Sequence, residues 1–267
     1  MLVGSGLAVA VPAIAAVDGF FITPRRLVTT THAFGEPAGA GPAVRIAQVT
    51  DLHMARMAGL HEKLLEELHA AAPAILLLTG DLIERDRCVG ALEAFLQELP
   101  DVPTFAILGN WEYWSGLAVE GYRRLFDDHS IELLVNRSVE FKASGRTIRI
   151  TGLDDLVAGH PDPQSAVADA EPCPNHLLLA HCPASRDACP LPADHRPSLI
   201  LSGHTHGGQV APFGCAIVRP WGSGPYLAGW YRNGGPPLYV SRGIGTSLMP
   251  VRIGATPELA VFDWSLS

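Results

Sequence analysis

Most of the chain alternates between short apolar runs and stretches with helical spacing of apolar residues. Residues 44–50 form a β-branched apolar run typical of a strand, and residues 60–72 place four leucines on one helix face. Residues 74–80 are almost continuously apolar, as expected of a strand covered on both faces, and helical spacing returns over residues 89–99. This repeat of strand and helix predicts an α/β fold.

A third strand is predicted at residues 104–110, with a helix around residues 122–126. Beyond Ile131 the pattern becomes strand-rich. Further strands are predicted at residues 131–136, 138–143, 146–155, 176–181, 198–204, 237–243 and 258–264. Because no linker or internal repeat divides this part, we predict one domain over residues 44–267, with two sheets packed face to face and helices outside.

Residues 1–43 are interpreted as an N-terminal apolar segment and lead-in. Residues 2–17 carry no charge and no polar face, and Ala13 to Ala15 resembles a small-residue cleavage site. The run is short for a membrane-spanning helix, which needs about 20 residues. We interpret it as an anchor or degenerate export signal, which predicts an exported or membrane-associated protein of a bacterial envelope. A buried N-terminal helix and a cytoplasmic location are the alternatives.

Composition limits the class of partner. The 267 residues are 48% hydrophobic and can bury a sizeable core, and a net charge of −8 with 19 Lys plus Arg argues against broad nucleic-acid binding. A small anionic group could still be bound through metal ions. The cysteine spacings match no zinc-site pattern, so one disulfide among Cys173, Cys182 and Cys189, or free thiols, are the open alternatives.

Side chains able to bind a metal follow five of the predicted strands. They are Asp51, His53, Asp81, Asn110, His181, His204 and His206. Ligands in α/β sheets gather beyond the carboxyl ends of strands, so we expect these residues to converge. Asp51 and His53 would point to the same side if the strand continues through them. Each residue alone could instead be a helix cap or a surface polar group.

The donor set favours two metal ions. Two Asp, one Asn and four His are too many ligands for one tetrahedral zinc, whereas two ions about 3.5 to 4 Å apart can share a bridging carboxylate. Mixed histidine and carboxylate ligands suit Mn, Fe or Zn better than Ca or Mg. A hydrolase with one metal ion is the alternative.

These motifs resemble the calcineurin-like metallophosphoesterases. The resemblance rests on DLH at 51–53, GD at 80–81, GN at 109–110, His181 and GHTHGG at 203–208, and it extends from Val44 to the end of the chain. The segment SRGIGTSLMPVRIGATPELAVF is further similar to the bacterial branch of small phosphodiesterases that carry an N-terminal apolar segment.

The resemblance implies a four-layer α/β/β/α sandwich of two mixed β-sheets flanked by helices. It also implies a ligand division in which Asp81 bridges two ions. One ion would be held by Asp51, His53 and His206, and the other by Asn110, His181 and His204.

Trp111 departs from the family pattern, which usually has a proton-donating histidine after Gly-Asn. An indole cannot donate a proton at any useful pH, so the leaving group needs another source of protons. Trp111, Tyr113 and Trp114 could form an apolar wall for an acyl chain or a base, although packing is the favoured interpretation. Trp111 is accordingly a candidate substrate-binding residue, and Cys182, beside a predicted ligand, is interpreted as a structural thiol.

We therefore expect a phosphoesterase that hydrolyses a phosphodiester or pyrophosphate bond by attack of a metal-bridging hydroxide. The catalytic candidates are His53, Asp81 and Asn110. Some relatives hydrolyse UDP-diacylglucosamine, so a lipid-linked or nucleotide-sugar substrate is one hypothesis, together with membrane association through the N-terminal segment. A metal-bound binding protein without catalysis is the alternative, because Trp111 replaces the usual acid.

Overall fold

The computed structural model describes residues 17–35 and 43–267, which form two six-stranded sheets with flanking helices. The first sheet has the order β1-β12-β2-β3-β4-β5 and the second β10-β11-β9-β8-β7-β6. The strands are β1 (Val28–Gly35), β2 (Ala43–Val49), β3 (Ile75–Thr79), β4 (Thr104–Ile107), β5 (Ile131–Leu133), β6 (Arg137–Ala143), β7 (Arg146–Gly152), β8 (His176–Leu179), β9 (Leu199–Ser202), β10 (Gly229–Tyr231), β11 (Leu238–Val240) and β12 (Glu258–Ser265).

Both sheets are mixed. In the first, β2, β3, β4 and β5 run parallel, while β12 pairs antiparallel with β2 and parallel with β1. In the second, β7, β8, β9 and β11 run parallel, with antiparallel β6 and β10 at the edges. The parallel strands therefore bring several carboxyl ends to one edge of each sheet.

Helices flank both sheets: Leu92 and Tyr122 belong to a buried cluster with the first sheet, and Ala166 belongs to one with the second. The α-helices are α1 (Gly59–Ala71), α2 (Val89–Gln97), α3 (Asn110–Trp114), α4 (Val119–Asp128), α5 (Pro163–Ala166) and α6 (Ser185–Ala188). Leu64 and Leu68 of α1 are fully buried because they lie one turn apart on the face that packs against the sheet. The helix ends at Ala72, whose left-handed backbone stops the repeat.

A second core fills the space between the sheets. Leu77 of β3 and Ile107 of β4 belong to the same buried cluster as Leu177 of β8 and Leu201 of β9. All five residues of β3 are buried because one face meets the helices and the other meets the second sheet. The prediction of two mixed sheets flanked by helices is confirmed.

The N-terminal part differs from the expectation in its details. Strand β1 lies in the segment interpreted as a lead-in, yet it pairs along its whole length with β12. Neither β1 nor β10 is predicted from the sequence, because both are short or polar edge strands. Apart from Val17, the apolar segment at residues 2–17 lies outside the described residues. In the described part of the chain, no helix combines the length and apolarity that crossing a membrane requires.

Candidate metal centre

Two groups of buried side chains meet where the loops after five strands converge. In the first group, one ligand atom each of Asp51, His53 and His206 lies within 4.8 Å of the others. Asp81, His181 and His204 form the second group by the same measure. We call these two groups the first triad and the second triad.

The carboxylate of Asp81 lies between the triads. Its Oδ2 is 3.1 Å from Nε2 of His181 in its own triad and 3.6 Å from Nε2 of His53 in the other. Within the first triad, Nε2 of His206 lies 3.0 Å from Nε2 of His53 and 3.5 Å from Oδ1 of Asp51. A carboxylate in this position can reach ligands of both triads, as the bridging role requires.

Asn110 completes the sequence-predicted set from a different element. Strand β4 ends at Ile107, and Asn110 is the first residue of the short helix α3 rather than part of the strand. Its side-chain oxygen is buried and has no hydrogen-bond partner. It lines the same cavity as Asp81 and His204. A buried amide oxygen without a partner fits a metal ligand, because an unpaired buried acceptor is otherwise costly.

The ligand loops hold unusual backbone conformations. Positive φ angles occur at Asp51 (54°), His53 (45°), Asp81 (56°), His204 (70°) and His206 (51°). The strand does not continue through Asp51 and His53, because β2 ends at Val49 and both residues turn out of it, so the condition for their pointing to the same side is not met. Such residues cost free energy and persist where surrounding contacts determine them, which is common at functional sites.

Two glycines allow the loops to approach each other closely. A Cβ on Gly203 would lie 2.3 Å from Oδ2 of Asp51, and one on Gly109 would lie 2.3 Å from Oδ1 of Asp81. These positions have no room for a side chain. The glycines in the GN and GHTH motifs thus let backbone pack directly against the candidate carboxylate ligands.

Backbone carbonyls set the tautomers of two histidines. Nδ1 of His181 lies 2.8 Å from the carbonyl oxygen of Thr79, and Nε2 of His204 lies 2.7 Å from that of Trp221. Because a carbonyl only accepts, these nitrogens carry protons, so in the neutral rings the lone pairs are on Nε2 of His181 and Nδ1 of His204. Such outer contacts are typical of histidines that bind metal ions.

Neighbouring histidines offset the cost of burial for Asp81 but not for Asp51. Burial alone raises the pKa of Asp81, but attraction to His181, His53 and His204 outweighs it and brings the pKa to about 2. Burial raises the pKa of Asp51 despite its histidine neighbours. Buried carboxylates are stable only when paired or bound to metal ions, so this donor set fits divalent cations.

Glu112 is a buried carboxylate at the centre that the sequence interpretation missed. Its Oε2 accepts hydrogen bonds from the backbone N–H groups of Asp81 (2.8 Å) and Gly109 (2.7 Å), and its Oε1 accepts from that of Leu82 (2.6 Å). Burial, with the nearby charge of Asp81, raises the pKa of Glu112 to about 7. The sequence feature that could have identified Glu112 is its position three residues after Gly109, which is the spacing of a helix capping box.

The three aromatic residues of the motif have different surroundings. Trp111 and Trp114 line a cavity of about 610 Å³ that opens onto the triads. The Trp111 ring meets the His53 ring edge to face at 5.8 Å between centroids. Tyr113 instead donates a hydrogen bond to Asp154. Tyr113 is therefore held by Asp154 outside the cavity, whereas Trp111 lines the cavity beside His53.

Cys182 behaves as a structural thiol. Its Sγ donates to Oδ2 of Asp155 at 3.2 Å, and burial raises its pKa well above the usual value, so it stays protonated. Cys173 and Cys189 are also free thiols. Cys173, Cys182 and Cys189 therefore form no disulfide with one another.

Comparisons with known proteins agree with this geometry. The family model described as calcineurin-like phosphoesterase matches residues 44–208. The metallophosphoesterase YkuE of Bacillus subtilis (strain 168) is 29% identical, covering 91% of this chain and 87% of its own. YpbG of the same organism is 30% identical over 85% of this chain and 84% of its own. A Danio rerio transmembrane protein with a metallophosphoesterase domain is 29% identical over 81% of this chain and 52% of its own.

Solved structures share the fold at low sequence identity. The NAD nucleotidase NadN of Haemophilus influenzae matches with a TM-score of 0.50 and 15% identity, covering 77% of this chain. The match spans 51% of the nucleotidase chain. At this identity the likeness concerns the fold alone.

Proposed function

The chain belongs to the calcineurin-like phosphoesterase family, and from this premise we propose that its two triads hydrolyse a phosphodiester or pyrophosphate bond. Metal-dependent phosphoester hydrolysis is the activity of the family. The proposal of two metal ions rests on one observation: the Asp81 carboxylate lies between two buried triads. One triad would suffice for a single ion, whereas this arrangement suits two.

The residues present fit two divalent ions of the Mn, Fe or Zn type. We assign one ion to Asp51, His53 and His206, and the other to Asn110, His181 and His204, with Asp81 shared. Bound there, the ions would supply hydroxide from water near neutral pH and neutralise charge on the phosphoryl oxygens.

The chain's own groups orient the reaction. Asp81, Asn110 and His53 are the proposed catalytic residues: Asp81 and Asn110 line the cavity, and His53 lies 3.6 Å from Asp81. In the hydrolysis, a water oxygen forms a bond to phosphorus, the P–O bond to the leaving group breaks, and the leaving oxygen takes up a proton. Trp111 cannot donate that proton, so the proposal favours leaving groups that need little protonation. Trp111 would instead contact the substrate from the cavity wall.

The location and domain organisation remain proposals. All seven candidate ligands lie in residues 44–267, which we propose as the catalytic domain, with residues 1–43 as a lead-in. We propose an envelope location with membrane association. The relatives' names give no substrate, and UDP-diacylglucosamine stays one hypothesis among lipid-linked and nucleotide-sugar phosphoesters.

Turnover of bis-p-nitrophenyl phosphate by the full chain, with added manganese, tests the proposed function. We expect metal-dependent release of p-nitrophenol, and loss of that activity in Asp81→Asn. A protein that binds two metal equivalents without hydrolysing this diester, a pyrophosphate or a nucleotide sugar would be the non-catalytic binding protein. A ratio of one metal per chain with full activity would contradict the two-ion proposal.

A further inference from the structure

The mouth of the metal cavity is surrounded by exposed apolar side chains. The cavity wall beyond the triads is largely apolar, and several of its large side chains project into solvent. We call this set the rim: Trp114, Ile217, Val218, Trp221, Leu248 and Met249. Leu248 is 85% exposed and Trp221 72%, although both residue types are normally buried. A contiguous patch of this kind marks a binding surface.

The rim adjoins the N-terminal part of the described chain. Gly19 packs closely against the side chain of Ile253, and its carbonyl accepts a hydrogen bond from the N–H of Arg252 at 2.9 Å. The same loop carries Leu248 and Met249, so the turn at Asp18–Ile22 lies beside the rim.

That turn adds exposed apolar side chains of its own. Phe20, Phe21 and Ile22 are all exposed, and the sequence preceding Val17 is an uncharged apolar run. This turn therefore contacts the segment that follows Leu248 and Met249 in the chain. The exposed apolar side chains of this turn and those of Leu248 and Met249 lie on segments that contact each other, which suits one apolar partner.

Three exposed arginines lie close in the chain to these apolar residues, and the Glu84 carboxylate accepts a hydrogen bond from the backbone of Leu248. Arg219 is exposed in the rim segment, and Arg25 and Arg26 are exposed after the N-terminal turn. Asp18 is the acidic residue of that turn, and its carboxylate accepts a hydrogen bond from Thr23. Aromatic and aliphatic tips flanked by arginines complement a bilayer surface with anionic headgroups.

We propose that the rim docks on a lipid bilayer and that the substrate is a phosphodiester lipid of that bilayer. The inference rests on the proposed function. The acyl end of the lipid lies along the apolar wall formed by residues such as Val218 and Trp221, and its phosphate lies at the triads. Docking removes the exposed rim from water, and the cavity gives the lipid phosphate a path to the ligands.

Tryptophan fluorescence in the metal-loaded full chain tests where the bilayer contacts the protein. With vesicles of phosphatidylcholine and phosphatidylglycerol in equal parts, brominated on their acyl chains, we expect quenching that depends on the rim tryptophans. The double variant Trp114→Phe/Trp221→Phe should lose most of that quenching while still sedimenting with vesicles. Equal quenching in the variant, or vesicle binding by wild type without quenching, would overturn the docking surface.

A second set of variants links docking to the substrate. In Ile217→Ser/Val218→Ser/Leu248→Ser we expect vesicle affinity to fall on the order of tenfold per side chain. Hydrolysis of vesicle phosphatidylglycerol, followed by phosphorus NMR, should fall more than hydrolysis of bis-p-nitrophenyl phosphate. The matched control Ile217→Leu/Val218→Ile/Leu248→Met keeps the rim apolar and should lose far less of either than the serine variant. Equal losses on the two substrates would contradict the lipid assignment.

The outcomes separate this inference from the proposed function. Quenching and vesicle binding without hydrolysis of any diester would leave the docking surface standing and contradict the proposed function. Hydrolysis of soluble diesters without vesicle binding would support the proposed function and contradict the docking surface. A dimer in solution that dissociates in the triple serine variant would show that a second copy covers the rim, and would overturn the bilayer.

Discussion

Asp81 and Asn110 have different positions at the centre, so their removal should have different effects. Asp81 contacts histidines of both triads, whereas Asn110 lines the cavity beside the second triad. The side chain of Asp81 therefore influences two candidate ions and that of Asn110 influences one.

We expect Asp81→Ala to lose both metal equivalents, because the shared carboxylate contributes to each site. Asn110→Ala should keep the ion of the first triad and lose the other. Elemental analysis of the dialysed proteins measures this directly. Asp169→Ala removes an exposed carboxylate away from the triads and serves as the control. Two full sites in Asp81→Ala, or none in Asn110→Ala, would contradict the ligand division.

Trp111→His tests whether the missing imidazole limits protonation of the leaving group. If it does, the variant should accelerate diesters with poor leaving groups by up to about 10²- to 10⁴-fold and change aryl diesters little. The measurement is kcat/KM over substrates of graded leaving-group pKa. If plots of log kcat/KM against leaving-group pKa are parallel for wild type and variant, and the variant has a raised KM for every substrate, Trp111 contacts the substrate from the cavity wall instead.

At the scale of elements, helix α3 is fixed to strand β3 through Glu112. One carboxylate satisfies backbone N–H groups in the loop after β3 and at the start of α3. The two loops that present Asp81 and Asn110 are thereby held together from behind. The Glu112 carboxylate, placed by a capping pattern in the sequence, thus stabilises the two loops of the candidate metal centre.

Glu112→Gln should lower the free energy of unfolding by roughly 2 to 3 kcal/mol, because the amide nitrogen would face a backbone donor. We also expect weaker metal binding, since the loop carrying Asp81 loses an acceptor. Urea unfolding and metal titration measure the two effects. Glu66→Gln, on the exposed face of α1, is the matched control. Unchanged stability in Glu112→Gln would exclude this supporting role.

Strand β8 contains a buried histidine that makes stability depend on pH. His176 is fully buried and bonded through Nε2 to Thr151, and burial together with Arg149 lowers its pKa to about 4. The unfolded chain, with an ordinary histidine pKa near 6.5, binds a proton first as the pH falls. The folded state is therefore favoured fully above about pH 6.5 and loses this contribution progressively towards pH 4.

We expect this contribution to be about 2 to 3 kcal/mol between pH 6.5 and 4. His176→Gln, which keeps a hydrogen-bonding group near Thr151, should flatten that part of the stability profile. Urea unfolding at a series of pH values provides the comparison. His160→Gln, with an exposed side chain, controls for the loss of a histidine. The same slope in wild type and His176→Gln would refute the assignment.

At the scale of the whole molecule, the metal centre joins the two sheets. The candidate ligands come from loops of the first sheet after β2, β3 and β4, and from loops of the second sheet after β8 and β9. Ions bound between them should therefore oppose separation of the sheets as well as local motion. Their binding adds to global stability because the unfolded chain holds no such site.

Removing the metal ions with a chelator should lower Tm by roughly 10 to 20 °C. This follows from about 2.7 kcal/mol for each ion present at a hundred times its Kd, and about 2 to 4 °C per kcal/mol in a domain of this size. Calorimetry before and after chelation, with manganese added back, is the measurement. A Tm that does not change on removal and return of metal would contradict binding between the sheets.

The sequence by itself determined the layers and the candidate ligands. Long apolar runs such as residues 74–80 indicate a strand buried on both faces. Successive side chains of a strand point to opposite faces, so a continuous apolar run makes both faces apolar. Polar residues directly after such runs lie at strand ends in any α/β sheet, so Asp81 and His204 could be named without coordinates. The fold and the family followed from these local signals, and both are confirmed.

Tertiary structure alone decided how those residues are held and what surrounds them. The positive φ angles at Asp51 and His206, the hydrogen bonds of Glu112 and the pairing of β1 with β12 depend on distant neighbours that no local period encodes. The exposed rim is equally hidden in the sequence, because its apolar residues look like core. Only packing determines whether an apolar side chain meets protein or solvent, and within residues 17–35 and 43–267 it leaves these side chains exposed beside the candidate metal centre.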